Sequence, residues 1–591
     1  MSAAPAKKPA PRDPVREACE TVVFVVALVL LLKLFAVEAF VIPTGSMAET
    51  LYGYQKDVTC PDCGHQYPVN CSNEVDPPDG RPRPVVRATC PNCRFPAAWK
   101  PGDGPGWRSG DRVLVHKAMY TVDGGPTRGD VVVFKYPVDP QINHTAQNYI
   151  KRLWGLGGET LAICRGDLYA TTSLAYPPDQ LDLDGRTPVY PRPADPTTAW
   201  EGPALGFGSS RVNPPFQAGG LDFTYHNRPD PLAAFAAARR AGFPAGGFEP
   251  LRKTPAQAVA MRRLVYDNDH PSATLAKRKV PPRWQADGPG WTTADDKAFT
   301  HTGGGLSFLR YRHRVPGPAG DALGGRPPAD DWSRSEGGYY DGLFPPQPIT
   351  NFLGYNAGVE AGQFGLEGRP GVGDLWAGDL MLEATAETAG GTVVLELSRG
   401  LHRYRATFAN GEVALSRTAG DGWKELARRP SGFTAGSRRL AFANIDARLR
   451  VWVGDRPLDF GAEADYPAAA GFAEEAVPGA LAGGVFAVRS DGHTLQNDIA
   501  GPASVGADGG ATVSRLKLWA DTVFTPAGNG TYDNPDDPVD TFYVQPGHYL
   551  CLGDNSGQSS DSRKWGLVPE RLMLGKACVV FFPPGRVGFI R

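Results

Sequence analysis

The chain has almost no excess charge of either sign. Its 61 basic and 63 acidic residues leave a formal net charge of −2 over 591 residues, so no overall field draws it to nucleic acid, and no nucleic-acid partner is expected. Cysteine is scarce as well. Nine in this length exclude a disulfide-dense scaffold, and four of them form two Cys-x-x-Cys pairs, Cys60/Cys63 and Cys90/Cys93. A carboxylate pair suited to glycoside hydrolysis is also lacking. Glu383, Glu396 and Asp446 are scattered through a stretch of alternating residues, nothing selects two of them, and a solvated face is their expected place. Aromatics at 10% argue against wholesale disorder, while 72 glycines and 56 prolines imply many turns. The length suits about three or four domains, and the expected class is mainly β.

One apolar run is long. Residues 1–18 read as a tail rich in alanine and proline, after which Thr21–Ile42 is nearly all apolar, interrupted by Lys33 and Glu38. About 20 residues at 1.5 Å each match a bilayer core, so a single N-terminal transmembrane helix is expected over 19–42, with the lipid bilayer as a partner. Lys7, Lys8, Arg12 and Arg16 precede it, which puts the amino terminus in the cytoplasm and the rest of the chain outside the inner membrane. A cleaved signal peptide cut after Val37-Glu38-Ala39 is the competing reading, and the acidic residue beside the cut argues mildly against it. The run leads into Pro43-Thr44-Gly45-Ser46-Met47, which sets a serine directly after it. Serine alone is a poor nucleophile near neutral pH and needs a base and an oxyanion site.

Cys60-Pro61-Asp62-Cys63 and Cys90-Pro91-Asn92-Cys93 present four thiolates at the spacing of a long zinc ribbon, the donor set of a tetrahedral structural zinc with no open position for substrate. Two disulfides are the alternative, and His65 and Cys71 are further ligand candidates. Val113-Leu114-Val115 and Val131-Val132-Val133-Phe134 follow Gly-Asp turn signals and read as strands. Tyr149-Ile150-Lys151-Arg152-Leu153-Trp154 then sets two cations among apolar residues; from the residues alone, an edge strand with its charges in water is the simpler reading. A helix is expected over Thr254–Tyr266, capped by Thr254. From Leu380 to Trp519 short alternating runs, with a hairpin signal at Asn410-Gly411, suggest eight or so strands of a β-sandwich. Near the end, Gly553-Asp554-Asn555-Ser556 and Ser559-Ser560-Asp561-Ser562-Arg563 crowd hydroxyls, amides and one Asp/Arg pair at a strand end, as a tight turn does.

Taken in order, these blocks resemble the bacterial type I signal peptidases, membrane-bound serine proteases with a Ser/Lys dyad. Pro43–Met47 with Thr50-Leu51 looks like the nucleophile block, Gly110–Val115 like the next, Arg128–Phe134 with Tyr149–Arg152 and Gly155–Gly158 like the block of the general base, and Gly553–Asn555 with Ser559–Gly566 like the closing one. The resemblance implies Ser46 as nucleophile and Lys151 as a base kept neutral by burial. It further implies an oxyanion site of the Ser46 N–H and the Thr44 hydroxyl, Ser559 orienting the lysine, and Asp561/Arg563 as a supporting ion pair. No cofactor is implied for catalysis. The implied substrate is the signal peptide of an exported preprotein with small residues at the first and third positions before the cut. Glu49 departs from the pattern, standing where many members carry proline.

On this reading the signal-peptidase-like β catalytic domain is split into 43–58, 107–167 and 526–591. It is interrupted by a zinc-ribbon-like insert over 59–106, an irregular Pro/Gly-rich insert with short helices over 168–347 and a β-sandwich over 348–525, all expected to project from the catalytic sheet. The rival reading is a membrane-anchored binding or scaffold protein whose sandwich takes a glycan or protein ligand. Retention of both Ser46 and Lys151 counts against it.

Overall fold

The computed structural model describes residues 14–120, 124–137, 147–172, 248–315, 346–362, 376–467, 496–525 and 539–591, apart from 32, 34–35, 119, 165, 278, 347, 401, 420–421 and 545. Its organising element is an eight-stranded antiparallel sheet that draws on both ends of the chain. The strands are β1 (Val37–Val41), β2 (Arg112–His116), β3 (Val131–Lys135), β4 (Asn148–Gly155), β5 (His548–Leu552), β6 (Val568–Pro569), β7 (Met573–Phe582) and β8 (Gly588–Phe589), ordered β1-β2-β7-β3-β4-β5-β6 with β8 on β7. The unbroken apolar run of β3 has a reason: the sheet is covered on both faces. Val131 and Val133 pack with Ile42, Met47, Val113 and Ala577 on one side, and Val132 and Phe134 with Leu153, Cys551 and Trp565 on the other.

The long apolar segment does not form one helix. Helix α1 (Pro14–Leu31) begins with Arg16, Glu17 and Glu20, and its apolar stretch Thr21–Leu31 rises only about 16 Å, roughly half a bilayer core. The segment then changes structure, because Val37–Val41 leaves the helix and pairs with β2 as an edge strand, Phe40 opposite Val113. Among the described residues no helix is long and apolar enough to cross a membrane. This overturns the transmembrane helix expected over 19–42 and the single-pass inner-membrane topology drawn from it.

Two hairpins carry the cysteine pairs: Gln55–Thr59 with Gln66–Asn70, and Val85–Thr89 with Pro96–Ala98, the second extended by Gly358–Glu360. The large insert contains two facing sheets of eight and seven strands whose shared core includes Leu382, Leu395, Phe442, Val505 and Leu518. Strands earlier than Leu380 belong to them as well, among them Arg263–Asp267 on Ala511–Ala520 and Ser307–Tyr311 on Ala503–Asp508. The helix expected over Thr254–Tyr266 is therefore short, Pro255–Ala260, capped by a reciprocal Thr254/Gln257 box. Val265 and Tyr266 enter the sandwich core from a strand instead.

The three scattered carboxylates are not solvated. Glu396 is fully buried beneath Arg310, Arg403 and Arg405, Glu383 pairs with Arg262, and Asp446 with Lys253. Each is held in a structural ion pair, which leaves no free acid and base for hydrolysis. Because Phe442 is fully buried in the single core between the sheets, Phe442→Ala should cost about 3–5 kcal/mol of insert stability, read as a lower urea midpoint for the insert's unfolding.

Candidate active site

At the end of β1 the Ile42 N–H donates to the Asp111 carbonyl at 2.9 Å, tying the chain's exit from the sheet to the start of β2. The turn that follows is anchored from beneath by Met47, Ala48 and Leu51, all fully buried, and this presents Ser46 half-buried on its outer side. Lys151 is the fourth residue of β4, opposite Val132, and only 3% exposed. Its Nζ lies 2.7 Å from Ser46 Oγ and 2.9 Å from the Ile150 carbonyl oxygen. Burial pushes the Lys151 amine down to about 8; Asp561, Cys551 and Asp554 act against the shift, and the Arg563 charge adds to it. The edge-strand reading with charges in water does not describe this lysine.

The closing block wraps the serine turn. A Cβ on Gly553 would stand 2.1 Å from Ser559 Oγ and 2.4 Å from the Ser46 carbonyl oxygen, so glycine is what lets the two loops close. The Asn555 backbone N–H donates to the Ser46 carbonyl at 3.1 Å and its side-chain amide to the Gly45 carbonyl at 2.9 Å. Asp561 and Arg563 form a buried bidentate pair at 2.6 and 2.8 Å. Burial alone would raise the Asp561 carboxyl; the Arg563 charge and hydrogen bonds hold it below its usual range. Ser559 is buried against Gly553, and its hydroxyl is among the groups that hold the Asp561 carboxyl down. Thr44 is exposed, two residues before Ser46.

Arg152 and Asp554 have no role assigned by the sequence pattern. They form a second bidentate pair at 2.6 and 2.8 Å, both completely buried, with Thr50 Oγ1 donating to the same carboxylate at 2.6 Å. This pair locks β4 to the closing block directly beside Lys151. Two residues 402 apart give no local signal of pairing; the only clue was an arginine adjoining the lysine in an apolar strand.

The four cysteines of the two knuckles cluster, with Cys60 and Cys93 sulfurs 3.5 Å apart and Cys63 and Cys90 sulfurs 3.7 Å apart. Zn–S bonds of about 2.3 Å at tetrahedral angles require sulfurs about 3.8 Å apart, so the donor set fits a structural zinc. None of these cysteines is disulfide-bonded, and Cys71 stands outside the cluster. His65 groups instead with Asp267 and His270, where the Asp267 carboxylate is already paired with Lys517 at 2.8 Å.

Residues 104–181 and 513–582 match the family model described as signal peptidase, peptidase S26. The enzyme class of that match is serine peptidase, in agreement with the expectation at that level. The matched stretches contain Lys151, Ser559, Asp561 and Arg563 but not Ser46. Among curated relatives, a probable signal peptidase I-2 of Synechocystis is 49% identical over 47 residues, 8% of this chain and 22% of its own length. Signal peptidase I of Aquifex aeolicus is 46% identical over 41 residues, 7% and 16%, and that of Pseudomonas aeruginosa 43% over 63 residues, 9% and 20%. The chain thus spans about a fifth of the length of the relatives it matches. Solved structures similar to the chain include the carbohydrate-binding module CBM66 from Bacillus subtilis, at 9% identity and TM-score 0.21 over 40% of this chain and 94% of that one. Galectin LEC-6 of Caenorhabditis elegans is similar at 17% identity and TM-score 0.15, over 24% and 83%. Scores this low carry no argument about a ligand.

Protein prepared with zinc should hold about one zinc per chain, and Cys93→Ala should lose it together with several degrees of thermal stability; metal analysis and a melting curve check both.

Proposed function

We propose that the protein is a serine endopeptidase of the signal peptidase I type, cleaving signal peptides from exported preproteins through a Ser46/Lys151 dyad. The observation that carries this reading is the 2.7 Å contact between Ser46 Oγ and the amine of a lysine whose burial holds it near 8. A neutral amine accepts a proton; a structural lysine in such a place would carry a desolvation cost that the Asp561 and Asp554 charges offset only in part.

In the reaction the neutral Lys151 amine takes the Ser46 hydroxyl proton as Oγ attacks the scissile carbonyl carbon. The tetrahedral oxyanion is held by the Ser46 N–H and the Thr44 hydroxyl, the second reached by rotation of an exposed side chain. Collapse breaks the peptide C–N bond, the leaving amine takes the proton from the Lys151 ammonium, and an acyl ester remains on Ser46. Lys151 then takes a proton from water, whose oxygen attacks the ester, and returns it to Oγ. Asp561/Arg563 and Arg152/Asp554 hold the strand and turn that keep the amine against the serine, and the role of orienting it falls to Ser559 by the resemblance rather than by a contact. The substrate is an extended peptide with small residues at the first and third positions before the cut, paired along a strand edge.

A preprotein with an Ala-x-Ala site tests this directly. The wild type cuts at that site, while Ser46→Ala, which removes the nucleophile, loses on the order of 10⁶-fold in rate and Lys151→Ala at least about 10²- to 10⁴-fold. Lys151→Arg fails equally, because a guanidinium stays protonated. Below about pH 8 the rate falls with acidity as Lys151 acquires its proton, and above it the rate levels off. Near-normal turnover by the arginine variant would remove Lys151 from the role of base.

A further inference from the structure

The insert does not simply project from the catalytic sheet. Its 3₁₀ turn Gly354–Asn356 lies directly on the Ser46 turn. The Tyr355 ring stacks on Tyr52 with centroids 5.0 Å apart, and its hydroxyl donates to the Tyr54 carbonyl at 3.1 Å. The ring also fills the space beside Gly45, where a Cβ would meet it at 2.2 Å. Asn356 adds a polar contact, its amide donating to the Asn555 side-chain oxygen at 2.9 Å. That bond leaves the Asn555 amide facing the Gly45 carbonyl, to which it donates. Asn356 thereby selects the amide orientation that holds the residue before the serine.

The same turn is seated on the four-cysteine module. A Cβ on Gly354 would stand 2.9 Å from Pro91 Cβ, inside the second knuckle. Arg94, one residue past Cys93, lies 3.6 Å over the Phe352 ring and donates to the Pro91 carbonyl. Beyond the turn, the Thr89 N–H donates to the Ala357 carbonyl at 2.9 Å, and Gly358–Glu360 pairs with Val85–Thr89, the strand that runs into Cys90. The path from knuckle to serine is short and continuous: Pro91 and Arg94, then Phe352 and Gly354, then Tyr355 and Asn356, then Gly45 and Asn555.

We propose that Tyr355 and Asn356 are positioning residues for the Ser46 turn and that the four-cysteine module sets their place, so that a metal on those thiolates governs the geometry of a serine it does not touch. The proposal rests on Ser46 as the nucleophile. It makes the ribbon and the insert parts of the active-site framework and renders cleavage responsive to metal supply.

The test uses the full-length, zinc-loaded protein. Asn356→Ala removes the amide donor with little loss of packing, and Asn356→Asp keeps the volume but cannot donate to Asn555 when ionised. Both should lower kcat on an Ala-x-Ala preprotein by about 10- to 100-fold, the scale of one lost buried hydrogen bond, with KM changed less than about threefold. Hydrogen exchange supplies a readout independent of activity. Amides of residues 43–54 should lose protection in both variants, and in wild-type protein stripped of zinc by a chelator, while β3 keeps its protection. Wild-type kcat and unchanged protection over 43–54 in both variants would overturn the role of Asn356, and the same result in Tyr355→Ala would overturn that of Tyr355. Unchanged protection over 43–54 in the metal-free protein would overturn the part given to the module. If Ser46→Ala still cleaved, the nucleophile assignment would fall, and the exchange data would still decide whether the turn is held from the insert.

Discussion

A single amine placed where water cannot solvate it is the constraint on which the catalytic half depends. Lys151 gains from one hydroxyl, one carbonyl and the face of the Tyr149 ring, and these do not replace the hydration of a full positive charge. The surroundings must therefore be rigid enough to keep water out. The sheet is accordingly packed on both faces, and two bidentate Arg–Asp pairs, Arg152–Asp554 and Arg563–Asp561, are buried close by. They supply directional strength that apolar contacts lack.

The topology explains how a chain with such large insertions keeps this geometry. Strands from residues 37–155 interleave with strands from 548–589, so the sheet that carries Lys151 exists only when both ends have met. The insert assists that meeting. Arg263 from a sandwich strand donates to the Asp554 carbonyl at 2.6 Å, and the Thr525 carbonyl at the insert's exit accepts from Arg563 at 2.6 Å. Together with Tyr355 and Asn356, these contacts make the insert a buttress of the closing block.

Much of this was legible from local pattern. Asn410-Gly411 predicted a hairpin, and both residues adopt the positive φ, 52° and 79°, that a two-residue turn with the strands' own twist requires. The two Cys-x-x-Cys knuckles predicted the four-sulfur cluster, and the ordered blocks around Ser46, Lys151 and Asp561 predicted residues that do meet in space. What stayed hidden depends on partners distant in sequence. Thr21–Ile42 reads as one span because apolar composition does not separate a helix from a β-branched edge strand, and only pairing with Arg112–His116 draws Val37–Val41 into the sheet. Alternation suggested a solvated place for Glu396, and gave no sign of the three arginines that close over it and bury it. No spacing rule joins Asn356 to Asn555, 199 residues on.

The central claim is that burial lowers the Lys151 amine to about 8, so that a usable fraction is neutral near neutral pH, and a direct titration of that amine tests it without relying on turnover. Lysine Cε carbons labelled with ¹³C can be followed by NMR across pH 6–11, with the Lys151→Arg spectrum identifying the resonance. A midpoint near 8, well below that of the exposed lysines, is the result this account predicts. A midpoint at or above about 10 would contradict it, because an amine charged throughout the neutral range cannot take the proton from Ser46.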